Sequence, residues 1–139
     1  MMAMSMPYAV SAVQYPPIRV LVVDDTDHVR RMLTTMLSVD GFEVVGGAAD
    51  GPSAIAAVED QAPDVVVIDY KMPAMNGLET ARRIRLLRPH QHVIIYTAFA
   101  DPQVEAAAAE IGVAVCLGKV EGLGPLEQEI RRLASHLHG

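Results

Sequence analysis

Apolar and polar positions along this chain follow two alternating patterns. Short runs rich in Val and Ile predict β-strands at residues 18–24, 43–46, 64–69, 92–97 and 113–117. Each run is followed by a stretch in which apolar residues recur with the 3.6-residue period of an amphipathic helix. The alternation of the two patterns predicts βαβ units and therefore a parallel sheet.

Capping residues and chain breakers predict where the helices begin and end. The first helix begins near Thr26 or Asp27, whose side chains suit its cap and first turn, and Asp40-Gly41 ends it. Pro52 stands near the first turn of the second helix, a position that proline tolerates. The remaining helices are expected at residues 77–87, 102–111 and 126–137.

This order of elements predicts the fold. Five strand–helix units within about 120 residues indicate an α/β protein folded as a three-layer sandwich. Because crossovers between parallel strands are right-handed, we expect a five-stranded sheet with the flavodoxin-like order 2-1-3-4-5. Residues 1–16 are expected to form a flexible N-terminal tail and residues 17–139 a single domain.

Composition narrows the class of protein. The chain has 139 residues, of which 51% are hydrophobic, and this suits one domain with a full core. Its net charge of -6 argues against direct nucleic-acid binding, which needs a positive surface. A single cysteine, Cys116, excludes an internal disulfide and is expected in a reducing, cytoplasmic compartment. No apolar stretch approaches the ~20 residues of a membrane span.

Carboxylates stand at the ends of two of the predicted strands. One apolar run leads into Asp24-Asp25, and another leads into Asp69. In the expected strand order the first and third strands are neighbours, so these acids meet in the crevice at the carboxyl edge. Capping of the following helices explains one such aspartate, but three acids that repel each other favour a bound cation. Mg²⁺ suits carboxylate oxygens, and a carboxylate beside it can attack phosphorus to form an aspartyl phosphate.

Two polar side chains follow the other strands of the carboxyl edge. Thr97 ends the fourth strand, and Lys119 follows the fifth. A hydroxyl and an ammonium group at these places can bond the oxygens of a phosphoryl group. Either residue alone is more often a strand former or a solvated loop residue, so the prediction depends on the whole combination.

The combination resembles the receiver domain of two-component response regulators over residues 18–137. The residues that carry the resemblance are Asp24-Asp25, Asp69 with Met72, Pro73 and Gly77, Thr97-Ala98, and Lys119. The resemblance implies a signalling module that catalyses its own phosphorylation and later dephosphorylation. It also implies a histidine kinase or phosphotransfer protein as the donor, and a downstream effector or a fused output domain as the receiver of the signal.

The resemblance assigns a role to each site residue. Asp69 is expected to accept the phosphoryl group. Asp25, Asp69 and the main-chain carbonyl of Lys71 are expected to bind Mg²⁺ directly, with Asp24 acting through water. Phosphorylation is then expected to draw Thr97 and Lys119 inward and to switch a partner-binding face built from the fourth helix, fifth strand and fifth helix.

The chain departs from the family's pattern at two positions. Receivers commonly carry an aromatic ring three residues before the lysine, and this ring rotates when the Thr/Ser moves; here the residue is Cys116. A small thiol cannot relay a signal by filling and leaving a cavity, so we expect inert core packing at this position. Lys119 is followed by Val120 where many receivers have proline, which leaves the conformation of that peptide bond open.

Two other functions are alternatives to a phosphorylated receiver. A receiver-like scaffold would bind partners without phosphorylation, which the loss of the aromatic residue favours. A phosphatase of the haloacid dehalogenase type would use Asp25 as nucleophile and Asp27 as general acid, since Asp25-Thr26-Asp27 resembles its first motif. That family's final acidic pair is missing after Lys119, and Asp69 would have no role in it.

Overall fold

A computed structural model of the chain describes residues 16–98 and 100–135. Its strands are β1 (Arg19–Val23), β2 (Glu43–Ala48), β3 (Val65–Ile68), β4 (His92–Thr97) and β5 (Val115–Gly118). Its helices are α1 (Asp27–Val39), α2 (Gly51–Gln61), α3 (Gly77–Leu87), α4 (Pro102–Glu110) and α5 (Leu123–Ala134). A 3₁₀ turn, Lys119–Glu121, separates β5 from α5.

The strands form one parallel sheet in the order β2-β1-β3-β4-β5. Apolar residues on one face of the sheet pack against α2, α3 and α4, and those on the other face pack against α1 and α5. The flavodoxin-like (βα)5 three-layer sandwich predicted from the sequence is therefore confirmed.

Burial explains why the central strands have continuous apolar sequences. All four residues of β3 are buried, because helices cover both faces of the sheet. On the helices only one stripe is apolar, as at Leu33 and Leu37 of α1. Polar side chains cap the starts of other helices; Asn76, for example, accepts the backbone N–H of Glu79 at the start of α3. Apolar packing thus fixes the layers, and the caps fix where the helices start.

The observed elements differ from the predicted ones mainly at their ends. β2 continues to Ala48 rather than Gly46, and β5 spans Val115–Gly118 rather than residues 113–117. The fifth helix begins at Leu123, three residues earlier than predicted, because Pro125 lies in the first turn, where its missing N–H has no helical partner to lose. The expected end of this helix at Leu137 lies outside the described residues.

The proposed tail at residues 1–16 lies almost entirely outside the described part of the chain, so that division stays a prediction. None of the helices in residues 16–98 and 100–135 combines the length and the hydropathy that crossing a bilayer requires.

Candidate functional site

The reversal point of the sheet brings the first two acids together. β1 and β3 are neighbours, and Val23 pairs with Ile68 in their register. Asp24 and Asp69 each follow one of these paired residues, and the backbone N–H of Asp69 donates to the carbonyl of Val23 at 2.9 Å. Strand pairing, rather than any side-chain contact, therefore sets the two carboxylates side by side.

The same edge of the sheet carries the hydroxyl and the ammonium group. Thr97, the last residue of β4, pairs with Gly118, the last residue of β5, and Lys119 follows directly. β4 also pairs with β3, the strand that ends before Asp69. Four of the predicted site residues thus lie at the carboxyl ends of adjacent strands.

Asp24 is buried, and each of its carboxylate oxygens accepts a hydrogen bond. It is 1% exposed, and one carboxylate oxygen, Oδ1, accepts the backbone N–H of Thr26 at 2.9 Å. The other oxygen, Oδ2, accepts from the ammonium group of Lys119 at 2.7 Å. Asp24 therefore shapes the turn into α1 and also anchors Lys119 across the site.

Asp69 is buried but has unused bonding capacity. It is 8% exposed, and its Oδ2 lies 3.6 Å from the Lys119 ammonium nitrogen. Its other carboxylate oxygen, Oδ1, is buried, and no described residue bonds to it. Buried polar atoms are nearly always hydrogen-bonded, so an oxygen left in this condition indicates a place for a ligand.

The surroundings of Asp69 act on its ionisation in opposite directions. Burial raises the pKa of Asp69 above its ordinary value, and the charge of Asp24 adds to this rise. A hydrogen bond from the side chain of Thr97, which is itself fully buried, and the charge of Lys119 lower the pKa without reversing the shift. One ammonium group therefore offsets the charge of the buried acids only in part.

The third acid, Asp25, lies on the solvent-exposed side of the site. Asp25 is exposed, and one carboxylate oxygen each from Asp24, Asp25 and Asp69 can be chosen so that all three lie within 4.8 Å of one another. Mg²⁺ prefers carboxylate oxygens and keeps water in its remaining positions, which an exposed ligand allows. The donor set, together with the unpartnered Oδ1 of Asp69, fits a magnesium ion.

Lys71 lies in the loop that follows β3. Its side chain is exposed at the surface but takes part in an interaction, so it is not a free cation. The role expected for its main-chain carbonyl as a metal ligand stays a prediction.

The loop from Asp69 to α3 folds back onto its own beginning. The backbone N–H of Gly77 donates to the carbonyl of Tyr70 at 2.6 Å. A Cβ atom added at Gly77 would lie 2.2 Å from the carbonyl oxygen of Asp69, well inside any tolerable contact. Glycine is therefore needed here for close backbone approach, a reason that the motif alone did not supply.

Cys116 lies half-buried in β5 at the margin of the core. Burial raises the pKa of its thiol, and the nearby charges of Glu105 and Asp101 raise it further. A thiol that stays protonated is a poor nucleophile, which suits the packing role expected from the sequence. The peptide bond from Lys119 to Val120 is trans, as are all peptide bonds of the described residues.

Sequence reasoning missed Tyr96, the residue before Thr97. Its ring is 6% exposed, and its hydroxyl donates to the carbonyl of Gly122 at 3.0 Å. The signal that could have found it is a tyrosine inside a buried strand, since a buried phenol needs a hydrogen-bond partner.

A cavity of about 600 Å³ lies away from these residues, at the opposite edge of the sheet where β3 and β4 begin. Its lining includes Pro63, Gln91 and His92 but none of the acids at the carboxyl ends of the strands. The candidate site is therefore an acidic crevice that lies apart from this cavity.

Comparison with known proteins gives consistent matches. The family model described as "Response regulator receiver domain" matches residues 20–131. The response regulator GacA of Pseudomonas viridiflava is 38% identical over 115 residues, which cover 82% of this chain and 54% of GacA. The chain thus spans about half the length of this curated relative.

Solved structures agree with the sequence comparisons. A LuxR-family two-component response regulator from Aurantimonas sp. SI85-9A1 is 29% identical, has a TM-score of 0.82, and aligns over 86% of this chain and 87% of its own. The CheX–CheY–BeF3–Mg²⁺ complex from Borrelia burgdorferi matches with 25% identity and a TM-score of 0.79, over 84% of this chain and 89% of the matched chain.

Proposed function

The chain belongs to the response regulator receiver family, and from this premise we propose that Asp69 is the carboxylate that accepts the phosphoryl group. The observation that carries the proposal is the buried Oδ1 of Asp69, which no described residue bonds. An oxygen in this condition indicates that Asp69 is arranged to bind a ligand, and a carboxylate beside a cation can attack phosphorus.

The transfer step uses the residues around Asp69. A carboxylate oxygen of Asp69 forms a bond to phosphorus while the bond from phosphorus to the donor's histidine nitrogen breaks, and the histidine keeps that electron pair. Lys119, 3.6 Å from Asp69, pairs with one phosphoryl oxygen, and the hydroxyl of Thr97 donates to another. Later attack by water on the phosphorus atom breaks its bond to the Asp69 oxygen, which releases inorganic phosphate and returns Asp69 to its free carboxylate.

Mg²⁺ is the proposed cofactor. Asp25, Asp69 and the main-chain carbonyl of Lys71 would hold it, with Asp24 acting through water. When bound, the ion offsets the negative charge that the acids and the phosphoryl group bring together. The matched complex from Borrelia burgdorferi contains Mg²⁺ and BeF3, which supports the same cofactor for this chain.

The proposed donor is a phosphorylated histidine on a kinase or phosphotransfer protein. Next to the site, α1 exposes Met32 and Met36, which are 50% and 44% accessible and lie one turn apart on the same side of the helix. Exposed methionines suit a protein contact because their side chains adapt to a partner. Met32→Glu should then slow transfer from the donor protein but not from acetyl phosphate; equal slowing of both reactions would contradict this docking site.

The proposed recipient of the signal is either a separate effector or an output domain fused to the receiver. GacA is about twice as long as the matched segment, so a fused output domain is one of the two arrangements. The face proposed to switch is formed by α4, β5 and α5, which lie beside Thr97 and Lys119.

Intact-mass measurement tests the proposed acceptor. The protein is incubated with Mg²⁺ and acetyl phosphate, and we expect wild type to gain one phosphoryl group while Asp69→Asn gains none. Asp60→Asn, which changes an exposed aspartate of α2, is the matched control and should be phosphorylated like wild type. Phosphorylation of Asp69→Asn would show that another residue accepts the phosphoryl group. An adduct on Asp25 would favour the phosphatase alternative. A wild-type protein that gains nothing would favour the scaffold alternative.

A further inference from the structure

Tyr96 connects the end of β4 to the chain that follows Lys119. Its ring belongs to the core on the face of the sheet that α1 and α5 cover, which also includes Leu126 and Ile130. Its hydroxyl leaves that core to donate to the carbonyl oxygen of Gly122 at 3.0 Å. This bond joins two segments that are 26 residues apart in sequence.

Gly122 closes the turn that carries Lys119. Its backbone N–H donates to the carbonyl of Lys119 at 3.0 Å, and its φ of 87° lies in the left-handed region that favours glycine. None of the residues of the turn is buried, and Val120 is 91% exposed, so the turn depends on what holds its two ends. The pairing of Gly118 with Thr97 and the ion pair of Lys119 hold the first end, and the bond from Tyr96 holds Gly122 at the other end, just before α5.

We propose that Tyr96 is a positioning residue for phosphoryl transfer: by holding Gly122 it fixes the turn from which Lys119 reaches Asp69. The inference rests on the proposed function. Lys119 has a long side chain with free rotation about its bonds, so the position of its ammonium group depends on how firmly the backbone is held. A displacement of about 1 Å at a reacting centre can change a rate as much as 100-fold.

The proposal also explains what constrains the turn in this chain, where Val120 stands in place of the proline that often follows the lysine in its family. Val120 makes the backbone of the turn less constrained than proline would. A hydrogen bond from a buried, rigid aromatic ring restores that constraint from outside the turn. Tyr96 does this without touching the phosphoryl group.

The test replaces Tyr96 by Phe, which keeps the ring in the core and removes only the hydroxyl. The amide of Gly122 reports on the turn, because its own hydrogen bond to Lys119 closes the turn. Loss of the bond from Tyr96 to the carbonyl of Gly122 should let the turn open more often, so we expect this amide to exchange with deuterium up to about tenfold faster. We also expect the phosphorylation rate at saturating acetyl phosphate to fall several-fold. The Mg²⁺ concentration that gives half of this rate should not rise, because Asp24, Asp25 and Asp69 are unchanged.

Thr34→Val is the matched control. It removes a hydroxyl that donates to a backbone carbonyl, that of Arg30, at 2.8 Å within α1. This variant removes a hydroxyl–carbonyl bond outside the turn and should keep the wild-type rate and the wild-type exchange at Gly122. Equal slowing of Thr34→Val and Tyr96→Phe would show that the effect is not specific to the turn and would overturn the proposal.

Two further results are distinguishable. If wild type is phosphorylated and Tyr96→Phe matches it in both rate and exchange, the positioning role is wrong while the proposed function stands. If wild type is not phosphorylated at all, the proposed function fails, and the positioning role fails with it.

Discussion

Gly77 packs directly against the backbone of Asp69, at a distance that leaves no room for a side chain. A Cβ atom at Gly77 would lie 2.2 Å from the carbonyl oxygen of Asp69, so even alanine must push the loop away. The backbone of Gly77 thus fixes how closely the loop that leaves the proposed acceptor returns to Asp69.

The first prediction follows from this contact. Gly77→Ala should lower the free energy of unfolding by about 1–3 kcal/mol, because the added methyl group forces the backbone to shift. Urea unfolding measures the change. Gly124→Ala is the control, since a Cβ there meets nothing within 4 Å and should not destabilise the protein. Equal stability of the two variants would show that the loop adapts freely.

The second prediction concerns the ion pair between Lys119 and Asp24. Lys119→Met leaves a buried carboxylate without its cation, which should cost about 3 kcal/mol of folding free energy in the absence of Mg²⁺. Added Mg²⁺ should then raise the melting temperature of this variant more than that of wild type, since it replaces the missing positive charge.

Arg83→Met is the control for this experiment, because Arg83 pairs with Glu79 at the exposed surface of α3. Such pairs contribute little, so the variant should change stability by less than about 1 kcal/mol and keep the wild-type response to Mg²⁺. If Lys119→Met responds to Mg²⁺ no more than wild type does, the ammonium group and the ion do not share a site.

The third prediction concerns Asp69 itself. Burial raises the pKa of Asp69, so the charged carboxylate is disfavoured in the folded protein. Asp69→Asn should therefore stabilise the protein by about 1 kcal/mol in EDTA, because the amide carries no negative charge that burial disfavours. Mg²⁺ should stabilise wild type more than Asp69→Asn in thermal melts. A variant less stable than wild type in EDTA would contradict the charge argument.

The fourth prediction concerns a pair of carboxyl groups between α1 and α5. Burial and a hydrogen bond with Asp40 raise the pKa of Glu127 to about 7, although Arg131 acts in the opposite direction. The folded protein therefore keeps a proton that the unfolded chain releases near its ordinary pKa of 4.5. This contribution to stability is full below about pH 4.5 and is lost as the pH rises to about 7.

Glu127→Gln tests this pair. The amide can donate to Asp40 at every pH, so the variant should lose less stability than wild type between pH 5 and pH 8 in urea titrations. Glu129→Gln, on the same helix, should keep the wild-type pH dependence. The interpretation is wrong if Glu127→Gln and wild type lose stability in parallel.

Much of the site could be predicted from sequence because its residues stand at the ends of apolar runs. The runs before Asp24 and Asp69 are strands, and the right-handed crossover rule restricted the topology to a few strand orders, of which the flavodoxin-like one makes those strands neighbours. Thr97 ends the next strand, and Lys119 directly follows the one after it. Each placement needed only local patterns and one topological rule.

Other features could not be predicted because they depend on backbone positions far apart in sequence. Tyr96 bonds a carbonyl group of Gly122, and a carbonyl group is present at every residue, so no residue type reveals the partner. The role of Gly77 depends on how the loop returns to Asp69. The early start of α5 was missed because Gly124 and Pro125 usually interrupt helices, whereas here they lie in the first turn.

The pairing of Val23 with Ile68 has a consequence for how this protein tolerates insertions and deletions. Side chains alternate between the two faces of a strand, so a slip of one residue in β3 would turn Asp69 away from the crevice while the sheet could still form. Adding or removing a single residue inside β1 or β3 should therefore yield a folded but inactive protein. Changes of length in the connections at the opposite edge of the sheet leave the spacing of the acids intact.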